Sequence, residues 1–183
     1  MTLAEKIGQM SQVEAGHGHP PDYLGERLRA GLIGSVINNV NVEIVNELQR
    51  IAVEESRLGI PLLVGRDVIH GFKTVFPIPL GQAATWNPSI AKEGARVAAL
   101  EAARSGVNRT IAPLGDISRD PRWGRIAESF GECVLLTSNM GAAMVEGFQG
   151  ESLADTGSIA ACAKHFAGYG AVESGRDYAT TNV

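Results

Sequence analysis

A chain of 183 residues can hold one domain with a buried core. With 44% hydrophobic and 20% charged residues it reads as globular, and a net charge of -4 without a basic run argues against nucleic acid as a partner. No apolar run approaches the roughly 18 residues of a membrane span, so no membrane partner is expected.

The N-terminal "MTLAEKIGQM" is charged and helical in pattern, not a signal peptide, so the chain expressed as it stands is expected in the cytoplasm. Thr2 caps this short helix, with Glu5 as its capping-box partner. "GHGHPPD" then breaks the pattern. His17 and His19 lie in this Gly/Pro loop without a third ligand, so no metal is expected there. "GLIGSVIN" reads as a buried strand. "VEIVNELQRIAVEESRLG" reads as an amphipathic helix with Ile44, Leu48, Ile51 and Ala52 on one face and Gly59 at its stop. "IPLLVGRDVI" is a second strand. Asn87 caps the helix "PSIAKEGARVAALEAARSG", with Pro88 at its first position. "NRTIAPLGDI" is a third strand, "ECVLLTSNMGAAMVEGFQG" a third helix and "SIAACAKHF" a fourth strand. Cys133 and Cys162 lack metal-type spacing and are expected as two buried thiols.

Strands that are apolar on both sides and alternate with helices indicate parallel βα units. No glycine fingerprint follows the first strand, which argues against a dinucleotide-binding sheet. Polar residues gather instead at the C-terminal ends of strands: Asn38 and Asn39, Asp67 and His70, Asp116 to Arg125, and Lys164 and His165. One chemically loaded rim is the habit of a βα barrel. The expected fold class is therefore α/β: parallel βα units forming half of a TIM-type barrel, about four strands, in a single partial-barrel domain over residues 1–183.

The rim residues suit a polyhydroxylated ligand. Asp67 can accept from adjacent hydroxyls, Arg125 and Lys164 can donate, and Trp123 or Tyr169 can cover the apolar face of a sugar ring. The arginines of "RDPRWGRIAESFGE" admit a plainer reading, in which Arg119–Asp120 and Arg122–Glu128 salt bridges staple the loop.

Three segments, "GIPLLVGRDVIHGFKTVFPIPLG", "DISRDPRWGRIAESFGE" and "ACAKHFAGYGAVESGRDY", resemble in order the N-terminal barrel of family 3 of the glycoside hydrolases, the β-glucosidase type. The resemblance runs from about Leu3 to Thr181 and implies a retaining hydrolase acting on β-linked glucosides or xylosides. It implies that Asp67 binds outer hydroxyls of the nonreducing sugar and that Arg125, Lys164 and His165 bind the remaining ring hydroxyls. It leaves Arg119 and Arg122 as loop braces, and it implies a cis peptide bond at Lys164–His165. In the N-acetylhexosaminidase branch a second histidine follows the Lys-His-Phe motif; here that place holds Tyr169, so the chain is similar to the glucosidase branch.

Retaining hydrolysis needs two carboxyl groups about 5 to 5.5 Å apart. The family's nucleophile lies in a later Ser-Asp-Trp type segment and its acid/base glutamate in a following domain, and neither is matched in this sequence. The expected reading is an N-terminal half-barrel with part of a sugar subsite, no catalytic pair, no cofactor and no activity of its own. Two alternatives stand beside it: a split hydrolase active with a complementary C-terminal half, and a self-associating scaffold. In the scaffold, a homodimer would join the first strand to the fourth. The sequence also departs from the family. Arg66 and Arg109 sit within strand-like runs, where each must reach water or a partner.

Overall fold

The computed structural model describes all residues, 1–183. Two compact units form, Met1–Asp67 with Ala102–Arg109, and Val68–Glu101 with Thr110–Val183.

In the first unit the capping box at Thr2 is present. Thr2 Oγ1 accepts from the Glu5 amide and Glu5 accepts from the Thr2 amide, starting α1 (Leu3–Met10). Then come β1 (Gln12–Glu14), α2 (Tyr23–Arg29), β2 (Ser35–Ile37) and α3 (Val42–Arg50), capped by the Asn41 side chain. A π-helical turn over Ile51–Glu55 extends α3, and Gly59 at φ 60° ends the segment before β3 (Leu63–Arg66). β1 pairs parallel with β2, and β2 with β3. The Gln49 amide bonds the Leu62 N–H and C=O at 2.8 and 2.9 Å, tying α3 to the start of β3. Leu24, Leu28, Val36, Val45, Leu48 and Val64 pack one apolar core between helices and sheet.

β1 was not expected. It lies beside β2 in the order β1-β2-β3-β4, where β4 is Arg109–Thr110. The expected first strand therefore has neighbours on both sides and is not a sheet edge. Asn108 joins β4 to β3 through its main chain and its side chain: its N–H reaches Val64 O at 3.1 Å and its amide bonds Val64 N and Leu62 O. Arg66 and Arg109 find amides rather than carboxylates. Arg66 donates to Asn38 at 3.1 Å, and Arg109 donates to Gln12 and lies against Gly65.

The second unit contains α4 (Pro79–Ala83), most of α5 (Pro88–Ala103) and α6 (Val134–Gln149). Asn87 caps α5, accepting from the Ser89 amide at 3.1 Å. The expected fourth strand is an extended segment rather than a named strand. Thr110 N reaches Ala160 O, Cys162 N reaches Ala112 O and Lys164 N reaches Pro113 O, with a parallel bridge at Leu114–Lys164. The two tryptophans differ sharply: Trp86 is 69% exposed and Trp123 is 1% exposed. The thiols of Cys133 and Cys162 are free and only partly buried. No helix is long and apolar enough to cross a membrane.

Candidate functional site

The second unit gathers its chemistry where Leu114–Asp116 and Lys164–His165 run side by side. Lys164 N donates to Pro113 O at 3.0 Å and Gly115 N to Lys164 O at 2.7 Å, which fixes the register. The next residue on each segment is then Asp116 opposite His165. Asp116 is buried; its Oδ2 accepts from the His165 main-chain N–H at 3.0 Å and lies 2.7 Å from ring Nδ1. The Lys164–His165 peptide bond is cis, as the sequence resemblance implies, and so is Ala112–Pro113.

Arg125 approaches the other side of the ring, with Nη1 3.3 Å from His165 Nε2. Arg125 sits on a 3-10 turn, Gly124–Glu128. Three residues per turn place positions i and i+3 on one side, so Arg125 meets Glu128 through two bonds of 2.7 Å. The guanidinium holds the Glu128 carboxyl below its usual range, with Lys164 adding to the effect, and Glu128 in turn raises Arg125. The expected Arg122–Glu128 and Arg119–Asp120 pairs do not form. Asp120 instead folds back on Arg122, accepting from its amide at 2.9 Å and from its guanidinium at 2.6 Å. That contact holds Asp120 at about 2. Arg122 is thus the loop brace.

Tyr169 completes the cluster. It begins a 3-10 turn, Tyr169–Ala171, after Gly168 at φ 76°. Its ring meets the His165 ring edge-on at 4.4 Å and the Trp123 ring at 5.3 Å, and the Arg125 guanidinium lies 5.4 Å from its centre. Gly170 permits this packing, because a Cβ there would strike the Ile117 carbonyl. Trp123 differs from the expectation. It is a core residue with Leu114 and Val172, so it offers no open face to a ligand, and Tyr169 is the partly exposed aromatic of the pair.

Asp67 follows β3 in the first unit and is exposed. Beside it in sequence, Arg66 donates to Asn38, and Asn38 donates to Glu14 at 2.7 Å, linking the ends of β3, β2 and β1. His70 has its Nδ1 3.1 Å from Phe76 O and serves its own loop. The structure thus brings Arg125, His165, Trp123 and Tyr169 together, with Lys164 next in chain, while Asp67 belongs to the other unit. Sequence reasoning missed Glu128 as the partner of Arg125, and Asp177, which accepts from both Tyr169 and Trp123.

Comparison with known proteins gives these residues a lineage. The model of the glycosyl hydrolase family 3 N-terminal domain matches residues 2–183. The chain belongs to glycosyl hydrolase family 3. A periplasmic β-glucosidase of Salmonella typhimurium is 45% identical over the whole chain, and a putative β-xylosidase of Formosa agariphila is 33% identical. A Listeria innocua β-glucosidase solved in complex with glucose superposes with TM-score 0.89 at 40% identity over the whole chain. The fold is that of the first part of the family 3 barrel domain. This family 3 chain spans about a quarter of those proteins: 24% of the Salmonella enzyme, 27% of the Formosa one and 28% of the Listeria chain.

Proposed function

We propose that this family 3 segment supplies sugar-binding groups to β-glucoside hydrolysis, and that a small sugar is its partner. The observation that carries the reading is the Arg125–His165–Tyr169 cluster: a cation, an imidazole and an aromatic ring within 3.3 to 5.4 Å of one another on a partly exposed surface. A hydroxylated ring wants such a mixture of donor, acceptor and flat apolar surface. Lys164 belongs to this surface as a further donor, and Asp67 at the end of β3 is proposed as a hydroxyl-binding carboxylate.

The cluster is proposed to bind rather than to cleave. Its three carboxylates are committed to donors: Asp116 to His165, Glu128 to Arg125, and Asp177 to Tyr169 and Trp123. A nucleophile or proton donor needs a carboxyl facing the glycosidic bond, so bond cleavage calls on groups outside this cluster. Calorimetric titration with glucose tests the reading. Arg125→Ala and Asp67→Ala should each weaken binding about tenfold, the scale of one charge-assisted hydrogen bond. Affinities equal to wild type in both would place the sugar elsewhere. Turnover of an aryl β-glucoside by the chain alone would overturn the division between binding and cleavage.

A further inference from the structure

We infer that Asp116 is a positioning residue that holds His165 in the Nδ1–H tautomer, making His165 Nε2 the acceptor that seats the Arg125 guanidinium for a ligand hydroxyl. Two neighbours demand the same proton placement. An ionised carboxylate only accepts, so the 2.7 Å contact between Asp116 Oδ2 and His165 Nδ1 requires a proton on Nδ1. A guanidinium only donates, so the 3.3 Å contact of Arg125 Nη1 requires a lone pair on Nε2. The hydrogen bond made by one imidazole nitrogen fixes the state of the other.

The groups that set this arrangement are themselves held. The Asp116 side chain is 4% exposed and takes a second bond, from the His165 main-chain N–H, into the same oxygen. The ring and its own backbone therefore chelate one atom, and the ring plane cannot turn without losing a bond. Arg125 is fixed by two bonds to Glu128, and the edge of Tyr169 closes the ring from the side.

A consequence follows for recognition, and it rests on the sugar-binding reading. The single lone pair of His165 Nε2 goes to Arg125 Nη1 and Glu128 takes Nε and Nη2, so two of the five guanidinium N–H groups remain for a ligand. The oxygens of two neighbouring hydroxyls can accept from this pair. The chemical class read by this pair is a vicinal diol.

The test uses the full chain labelled with nitrogen-15, glucose as the probe, and two-bond proton–nitrogen spectra of the four histidine rings, with His165→Ala to identify the signal. Wild type should show a pyrrole-type Nδ1 and a pyridine-type Nε2 at His165. Asp116→Ala should move the ring toward the Nε2–H form and weaken glucose binding about tenfold. Asp116→Asn, whose amide oxygen can accept both bonds, should keep the wild-type spectrum and bind within about threefold. Arg125→Ala should also keep Nδ1–H, because Asp116 commands it. An Nε2–H ring in wild type, or a tautomer that follows Arg125 rather than Asp116, overturns the assignment. Should Asp116→Ala fail to fold, the wild-type and Arg125→Ala spectra decide. If wild type shows the Nδ1–H ring but takes up no glucose, the sugar reading fails while the role of Asp116 stands.

Discussion

The Tyr169 hydroxyl donates to Asp177 Oδ1 at 2.6 Å, and that same oxygen receives the Trp123 indole N–H at 3.0 Å. Both bonds hold the Asp177 carboxyl below its usual range. One acceptor thus satisfies a core tryptophan and a surface tyrosine. Asp177→Ala leaves a buried N–H without a partner, which is costly, so its melting temperature should fall. Asp177→Asn keeps an acceptor oxygen and should recover most of the loss. Thermal denaturation followed by circular dichroism compares the two, and equal melting temperatures would show that water replaces Asp177.

Trp123→Ala removes a side chain that is 1% exposed and packs on Leu114 and Val172. A loss of about 3–5 kcal/mol is expected for a large aromatic truncated in a core. Urea denaturation gives the value, and a loss below about 1 kcal/mol would remove Trp123 from the core argument.

Tyr169 titrates above the usual tyrosine value, chiefly because burial disfavours the phenolate and then because Asp177 bonds the neutral hydroxyl. The folded state holds this proton more tightly than the unfolded chain. Its contribution to stability is therefore complete below the ordinary tyrosine pKa near 10, and is lost as pH rises through the folded value. Of three tyrosines, one should show a late phenolate step in ultraviolet absorbance, and Tyr169→Phe should remove it.

Glu5 behaves in the opposite sense. Arg57 and the Thr2 amide bond its carboxylate and hold it at about 2. A lowered folded pKa stabilises above the unfolded value and is lost as pH falls toward 2. The difference in melting temperature between wild type and Glu5→Gln should therefore be full at neutral pH and shrink between about pH 5 and 2. A difference that persists unchanged at low pH would assign it to the cap geometry alone.

Gly170→Ala tests the packing beneath the cluster. The new methyl would strike the Ile117 carbonyl and stand 3.1 Å from Asp116 Cβ. Overpacking of this kind costs about 1–3 kcal/mol, read from the denaturation midpoint.

The α/β class and its parallel direction are legible because long apolar runs alternate with helical periods. β1 is not, because Val13 alone between Gln12 and Glu14 carries no pattern. α2 hides behind the Gly/Pro loop at residues 16–21, and the π-helical turn at Ile51–Glu55 sits inside an apolar face that runs on without a break. The site shows the same division. Which charged residues gather is readable, since they follow strand ends. Which of them pair is not, because a 3-10 turn rather than the sequence order puts Arg125 on Glu128, and a backward-folding aspartate gives Arg122 to Asp120. Burial separates Trp123 from Tyr169 in the same way: both are aromatic in the sequence, and only the packing shows which has an outer face.

The unequal setting of the two tryptophans gives this chain a built-in optical gauge. Trp86 stands in water and Trp123 lies sealed beneath Tyr169. A soluble quencher should reach the first and spare the second, leaving an emission that comes from the neighbourhood of Arg125 and His165 alone. Loosening of that neighbourhood by heat or denaturant becomes visible without labels, as the moment when the shielded signal begins to dim.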